Sequence, residues 1–348
     1  MINKILVPLD GSPLSACAFP HVIAFAQATG AQVTLLRVLE QSKAQAIRVS
    51  PLEWQLAKAE AQTYLDEIEA QLGQWLETKP VTQLLEGPAA ERIIEQAQRQ
   101  DVDLIVLSSH GESGLSGWNT SSVAQKVVQR AGKSILLVRA YHIIADCENG
   151  RWGNLRYRRI LAPLDGSMRA ESVLPLATAL AQQHAAALLL VYAATRPELI
   201  QRVPLTQEDT ALVEALVERN VVHATKYFEQ LRARLSPEPE TQILVNGHVT
   251  AALHKVVNQA EVDLVILSAH GASGHSQWPY GSVVNSFVTY GATPLLILQD
   301  LPMTAIESTQ AERAVVAPQG WRKSSGAQTI DPVGGYTYSP IYAYKPAF

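Results

Sequence analysis

The chain has 348 residues, of which 47% are hydrophobic and 17% are charged, so it is long enough for two hydrophobic cores and unlike disordered or collagen-like chains. Its formal net charge of -4 provides no broad positive field for a nucleic-acid backbone, so nucleic acid is not an expected partner. The two cysteines, Cys17 and Cys147, occupy different places in the two halves, which argues against a disulfide framework and favours a reducing compartment.

The amino-terminal segment MINKILVPLD reads as a first strand and lacks the charged and then apolar run of a signal peptide. We therefore expect the protein to stay in the cytoplasm. The longest apolar runs, such as 185–194, are well short of the roughly 20 residues that a membrane-spanning helix needs, so a membrane is not an expected partner.

One long stretch of the sequence occurs twice. KILVPLDGS at 4–12 returns as RILAPLDGS at 159–167, and VDLIVLSSHGESGLSGWNTSSV at 102–123 returns as VDLVILSAHGASGHSQWPYGSV at 262–283. A repeat of about 150 residues is far longer than the unit of a solenoid, so each copy is predicted to be a complete domain. The predicted organisation is domain 1 at 1–140, a linker at 141–157, domain 2 at 158–300 and an extended C-terminal tail at 301–348.

Within each copy, short apolar runs alternate with longer segments of helical period, which is the pattern of βαβ units. The runs are apolar throughout, as expected of parallel strands covered on both faces. The predicted fold is therefore α/β, with two tandem, doubly wound, Rossmann-like domains that each carry a five-stranded parallel sheet. The predicted strands are Lys4–Leu9, Gln32–Leu39, Val81–Leu85, Asp103–Ser108 and Ser134–Arg139, followed by Arg159–Leu164, Ala187–Ala193, Gln242–Val245, Asp263–Ser268 and Pro294–Gln299.

The longest predicted helix of each copy begins with an explicit start signal. Ser50 is placed to cap the first of them, with Glu53 at the capping-box position three residues later. Thr206 and Asp209 form the counterpart in the second copy. Apolar residues then recur at steps of three and four, which predicts an amphipathic helix in each copy.

In an open parallel sheet, ligands bind at the edge formed by the carboxyl ends of the strands. Two segments of each copy lie at such strand ends. The first is PLDGS, at 8–12 and again at 163–167. Its serine is equally suited to capping the helix that follows, whereas its aspartate can also accept hydrogen bonds from a ribose. The second is SSHG at 108–111 and SAHG at 268–271, where small residues allow backbone amides to approach phosphate oxygens.

The residues after this second segment resemble those of the universal stress protein family, whose ATP-binding members carry Gly-x-x-Gly, nine residues, and then Gly-Ser or Gly-Thr. The second copy has SAHG, nine residues and then Gly281-Ser282-Val283, which matches three of the four marked positions. The first copy has SSHG, nine residues and then Ser121-Ser122-Val123, which matches two. The resemblance covers nearly all of residues 1–140 and 158–300.

Carried over position by position, the resemblance implies that Asp165 contacts the ribose or adenine side of a nucleotide and that Gly271, Gly281 and Ser282 hold its phosphates. Val38 of the first copy stands where the family makes a backbone contact to adenine. The candidate binding residues are Pro163, Asp165, Ser268, Gly271, Gly281, Ser282 and Val283 in the second copy, and Pro8, Asp10, Val38, Gly111, Ser122 and Val123 in the first.

The main departure from the family pattern is Ser121, because it adds a side chain where the backbone should approach the phosphates closely. The second copy is therefore predicted to bind nucleotide better than the first. His110 and His270 stand alone in their motifs and are predicted to stabilise turns, so no catalytic and no metal-binding residue is assigned.

The resemblance implies that ATP or a related adenine nucleotide, with or without Mg²⁺, bridges the two turns and fixes loops that a protein partner reads in a stress response. Two alternatives stay open: slow ATP hydrolysis, with Asp165 or Mg²⁺ positioning water, and a nucleotide-free interaction scaffold. Because family members commonly dimerise through their final strands, Ile135–Val138 and Leu295–Leu298 are predicted to meet inside one molecule. The sequence leaves open whether two chains then form a homodimer.

Overall fold

The computed structural model describes residues 2–40, 50–111, 120–139, 152–195, 206–246, 248–272 and 280–299. The predicted C-terminal tail and residues 141–151 of the predicted linker lie outside these residues. The strands are β1 Lys4–Leu9, β2 Gln32–Leu39, β3 Val81–Glu86, β4 Leu104–Ser108, β5 Ser134–Val138, β6 Arg159–Leu164, β7 Ala187–Thr195, β8 Glu240–Asn246, β9 Leu264–Ser268 and β10 Leu295–Leu298. The α-helices are α1 Pro13–Ala16, α2 Phe19–Thr29, α3 Pro51–Leu72, α4 Ala89–Arg99, α5 Ser122–Arg130, α6 Met168–Glu171, α7 Leu174–His184, α8 Gln207–Arg234, α9 Val249–Gln259 and α10 Ser282–Tyr290.

All ten strands form one sheet, in the order β3-β2-β1-β4-β5-β10-β9-β6-β7-β8. We call β1 to β5 with their helices the first repeat, and β6 to β10 with their helices the second. Within each repeat the strands are parallel, and only β5 and β10 pair antiparallel. The α/β class and the five parallel strands in each repeat are confirmed, and each predicted strand is found with its ends shifted by two residues at most.

The antiparallel pair joins the two repeats, as predicted for the final strands. Leu136 lies opposite Leu296 and Ile135 lies opposite Ile297, and all four side chains are fully buried. Because side chains alternate between the faces of a strand, the leucine pair belongs to one hydrophobic core and the isoleucine pair to the other. Both cores therefore run without interruption across the two repeats.

The helices cover both faces of the sheet. One core is packed by α2 and α3 of the first repeat and by α7 and α8 of the second, through residues such as Phe19 and Leu180. The other is packed by α4, α5, α9 and α10, through residues such as Ile93 and Phe287. None of the described helices is both long enough and apolar enough to cross a membrane.

Local signals explain where several helices begin. The capping boxes of Ser50 with Glu53 and of Thr206 with Asp209 are both formed. The helical segment after the first strand of each repeat is broken in two, and Pro20 or Pro175 is the second residue of the second piece. A proline is tolerated there because the first N–H groups of a helix have no partner inside the helix.

The end of the predicted linker is part of the core between the two repeats. Trp152 is only 4% exposed and packs against Phe19 of α2, with 4.6 Å between the ring centroids and 56° between the ring planes. Tyr157 is 1% exposed, and its hydroxyl lies 2.5 Å from Nδ1 of His21, also in α2. On its other side Tyr157 makes an edge contact with the ring of His184, at the end of α7. These rings tie α2 of the first repeat to α7 of the second.

The two buried histidines predict a loss of stability in acid. Burial, with the nearby His184, lowers the pKa of His21 from 6.5 to about 3, and burial also lowers the pKa of His184. In the unfolded chain both return to about 6.5, so below that pH the unfolded state binds more protons and the free energy of unfolding falls. His21 alone should cost about 2 kcal/mol at pH 5 relative to pH 7.

Urea denaturation at several pH values measures this loss. His21→Gln, which keeps a partner for the Tyr157 hydroxyl, should flatten the slope between pH 7 and pH 5, whereas His223→Gln on the exposed face of α8 should leave it unchanged. Equal slopes for the wild type and His21→Gln would show that His21 is not the group that titrates.

Candidate functional site

The turn after β6 is held by the carboxylate of Asp165. Its Oδ1 accepts a hydrogen bond from the backbone N–H of Ser167 at 3.0 Å, and its Oδ2 accepts one from the N–H of Ala272 at 2.7 Å. Between them Gly166 adopts a φ of +81°, a conformation that a side chain disfavours. Asp165 therefore links the turn after β6 to the turn after β9, the two segments that the sequence singles out.

In each repeat a glycine lies against the aspartate that follows the first strand. A Cβ built on Gly271 would come closer than 3.0 Å to Oδ2 of Asp165, and one on Gly111 would do the same to Oδ2 of Asp10. A side chain in place of the glycine of the second motif would therefore have to displace the carboxylate of the first. From the sequence, the role predicted for the glycine was to let the backbone approach a phosphate. Its contact with the aspartate was missed, because the two residues lie about a hundred positions apart.

The turns after β4 and β9 share one hydrogen-bond frame. In the second repeat the N–H of Gly281 donates to the carbonyl of Ala269 at 2.9 Å, and in the first the N–H of Ser121 donates to the carbonyl of Ser109 at 2.7 Å. The Ser109 hydroxyl also lies 3.0 Å from Nδ1 of His110. The two turns therefore hold the starts of α5 and α10 in equivalent places.

The starts of α5 and α10 differ in whether a side chain accepts a hydrogen bond from an N–H of the first turn. Ser121 caps α5, and its hydroxyl accepts the N–H of Ala124 at 3.2 Å. Gly281 at the start of α10 has no side chain to do this. Its φ of -70° suits any residue, and a Cβ there would meet no atom of the described residues outside its chain neighbours closer than 3.7 Å, so these residues leave room for a side chain. The first-turn N–H groups of α10 stay available to an anion.

A cavity of about 390 Å³ opens at this helix start, a size within the usual range for ligand pockets. All seven candidate residues of the second copy line it, and Ala193 of β7 joins them. Sequence reasoning missed its apolar wall, which comes from β7, β9, α9 and α10 and consists of Val191, Val249, Leu253, Leu267 and Val284. The described lining contains no lysine and no arginine.

In the first repeat the structure brings Asp10 and Gly111 into contact, and the N–H of Ser12 donates to Oδ1 of Asp10 at 2.9 Å. Pro8 lies in β1, and Val38 lies in β2 next to Leu85 of β3. Ser122 and Val123 open α5. Residues 112–119, between the two turns, lie outside the described part of the chain.

A positively charged side chain, that of Arg37, also lies near the end of β2, where the sequence suggested no functional residue. The guanidinium of Arg37 lies against Gly11 and over the ring of Tyr64, 5.0 Å from its centroid. At the equivalent place of the second repeat, Tyr192 is the residue near Gly166. The signal in the sequence is a charged residue within a largely apolar strand.

Comparisons with known proteins agree with this architecture. The model of the universal stress protein family matches residues 1–139 and 156–299. Universal stress protein MJ0531 of Methanocaldococcus jannaschii is 32% identical over 142 residues, which are 40% of this chain and 83% of that protein. Universal stress protein Mb2028c of Mycobacterium bovis is 30% identical over 140 residues, which are 39% of this chain and 45% of that protein.

Among solved structures, a universal stress protein from Archaeoglobus fulgidus superposes with a TM-score of 0.58 and 15% identity, over 86% of this chain and 99% of that one, which shows a shared fold. The two segments matched by the family model make up more than half of the chain and carry the two copies of the Asp-Gly-Ser turn. With one such segment in each repeat, the chain belongs to the universal stress protein family.

Proposed function

We propose that the chain binds an adenine nucleotide, ATP or a close relative, in the cavity of the second repeat. The observation that carries this proposal is the uncapped start of α10, which opens onto that cavity. The N–H groups of the first turn of α10, from Ser282 onward, suit phosphate oxygens, since a helix start combines free donors with the positive end of the helix dipole. The apolar wall that includes Val191 and Leu253 suits a flat base.

The first repeat is proposed to bind nucleotide more weakly. The hydroxyl of Ser121 occupies the N–H of Ala124, one of the donors that a phosphate would use. Steric crowding by the Ser121 side chain also predicts, from the sequence alone, that the first copy binds nucleotide less well than the second. The structure adds competition for a donor, since the first repeat satisfies its own helix start.

Binding, and not turnover, is the proposed activity. Phosphoryl transfer depends on positive groups around the phosphates, and the described lining of the cavity provides neither lysine nor arginine. Both oxygens of Asp165 accept backbone N–H groups, so this carboxylate serves first to hold the two turns. Any Mg²⁺ would then be held largely by the nucleotide and water.

We further propose that the bound state is what a protein partner recognises in a cytoplasmic stress response. Family membership supports the stress-response role, and the scarcity of cysteine supports the compartment. A nucleotide that fixes the turns after β6 and β9 would shift the population of loop conformations around the cavity. The residue ranges proposed for the two domains, the linker and the tail are kept as in the sequence analysis.

Isothermal titration of ATP into the full chain tests the proposal. We expect one dominant site per chain, weakened at least tenfold by Asp165→Asn, because the amide cannot accept both N–H bonds that align the turns. The matched variant Asp10→Asn in the first repeat should leave that site unchanged. Absence of ATP binding by the wild type would favour the nucleotide-free scaffold. Loss of ATP binding in Asp10→Asn would place the site in the first repeat and contradict the proposal.

A further inference from the structure

Tyr280, the residue just before the Gly281 turn, reaches out of its own repeat. Its side chain is 4% exposed, and its hydroxyl donates a hydrogen bond of 2.6 Å to the carbonyl of Val128 in α5 of the first repeat. Val128 lies in the last four residues of α5, whose carbonyls have no donor further along the helix. The start of α10 is thereby tied to the end of α5.

The same residue is also tied within its own repeat. The side-chain amide of Asn285 in α10 donates to the backbone carbonyl of Tyr280 at 3.2 Å, and the next N–H, that of Gly281, donates to Ala269. Burial raises the pKa of the Tyr280 hydroxyl, so it stays a donor throughout the working range of the protein. Tyr280 therefore connects α5 to the Gly281 turn, which follows it directly in the chain.

The other end of α10 is held by the first repeat as well. Arg139, which follows β5 and is 1% exposed, donates from Nη2 to the carbonyls of Phe287 and Val288 at 2.8 and 3.0 Å. Both carbonyls lie near the end of α10, where a positive charge complements the helix dipole. The first repeat therefore contacts α10 at both ends.

Among the described residues, the second repeat does not make the equivalent contacts with α5. The position equivalent to Tyr280 is Thr120 in the first repeat, and the position equivalent to Arg139 is Gln299 in the second. Gln299 instead donates its backbone N–H to the hydroxyl of Ser134 at 3.1 Å. The two copies have diverged at both positions. As a result, it is α10, and not α5, that is held at both ends by the other repeat.

We propose that Tyr280 and Arg139 are positioning residues through which the first repeat holds α10 in the geometry that binds phosphate. The nucleotide site of the second repeat is then conditional on the first repeat, and a displacement of α5 reaches the Gly281 turn through Tyr280. This inference rests on the proposed function, since it assumes that the phosphates meet α10. It gives the first repeat a regulatory task even where its own turns bind nucleotide poorly.

Titrations of the full chain with ATP and with adenosine test the inference. Tyr280→Phe should weaken ATP binding about three- to tenfold, the equivalent of one hydrogen bond, and leave adenosine binding unchanged because adenosine has no phosphate. Arg139→Met should show the same selective loss, because it removes both hydrogen bonds to the carbonyls at the end of α10. The control is Tyr290→Phe, which changes a 74% exposed tyrosine on the same helix.

The outcomes separate this inference from the proposed function. If the wild type binds ATP and Tyr280→Phe binds it equally well, the first repeat does not position the site and the inference is wrong, while the proposed function stands. Equal losses for ATP and adenosine would reduce Tyr280 to a general packing residue and also overturn it. Failure of the wild type to bind ATP would remove both proposals.

Discussion

Replacing Gly281 by serine is expected to weaken ATP binding about ten- to a hundredfold while the protein stays folded. A serine at the start of a helix accepts an N–H of the first turn, as Ser121 does in the first repeat. The loss corresponds to one charge-assisted hydrogen bond to phosphate. The fold should tolerate the change, because within the described part of the chain a Cβ at 281 meets nothing closer than the carbonyl oxygen of Ala269 at 3.7 Å.

The reciprocal variant Ser121→Gly gives a matched comparison within the same chain. It removes the hydroxyl that caps Ala124 and should create or strengthen a second ATP site, so that titration approaches two nucleotides per chain. Thermal unfolding of both variants checks that neither effect comes from loss of structure. Unchanged ATP affinity in Gly281→Ser would mean that the start of α10 does not hold the phosphates.

Replacing Gly271 by alanine is expected to destabilise the chain by about 1.5–2 kcal/mol, because the new Cβ displaces the exposed Asp165 carboxylate and breaks its charge-assisted bond to Ala272. Urea denaturation measures the loss. The control is Gly281→Ala, which adds the same methyl group where there is room and should cost no more than about 1 kcal/mol.

A double variant shows whether the aspartate is the cause. Asp165→Ala removes the carboxylate, so adding Gly271→Ala to it should cost much less than Gly271→Ala costs alone. Additive losses from the two changes would mean that the methyl group is excluded by something other than Asp165. The pair Gly111 and Asp10 offers the same cycle in the first repeat.

Local and periodic features of the fold could be predicted from the sequence. The apolar runs predict all ten strands, the capping boxes at Ser50 and Thr206 are formed, and the apolar final strands pair as expected. Each of these depends on residues close together in the chain or on an uninterrupted apolar surface that must be covered. The duplication also identified which turns lie at the same edge of the sheet.

Individual side-chain contacts between distant segments could not be predicted. Nothing local indicates that Trp152 and Tyr157, in a segment that reads as a linker, pack between the repeats. The approach of Asp165 to Gly271 and the reach of Tyr280 to Val128 both depend on how the sheet brings remote turns together. The candidate residues of the second copy could be named from the motif, but the reason for each glycine required coordinates.

Native mass spectrometry of the full chain, purified without added nucleotide and then mixed with ATP, shows whether the start of α10 holds the nucleotide. We expect one adenine nucleotide per chain for the wild type and for Asp10→Asn, and the bare chain for Gly281→Ser at the same ATP concentration. A bare wild-type chain, or a nucleotide retained by Gly281→Ser but lost from Asp10→Asn, would overturn the proposed site.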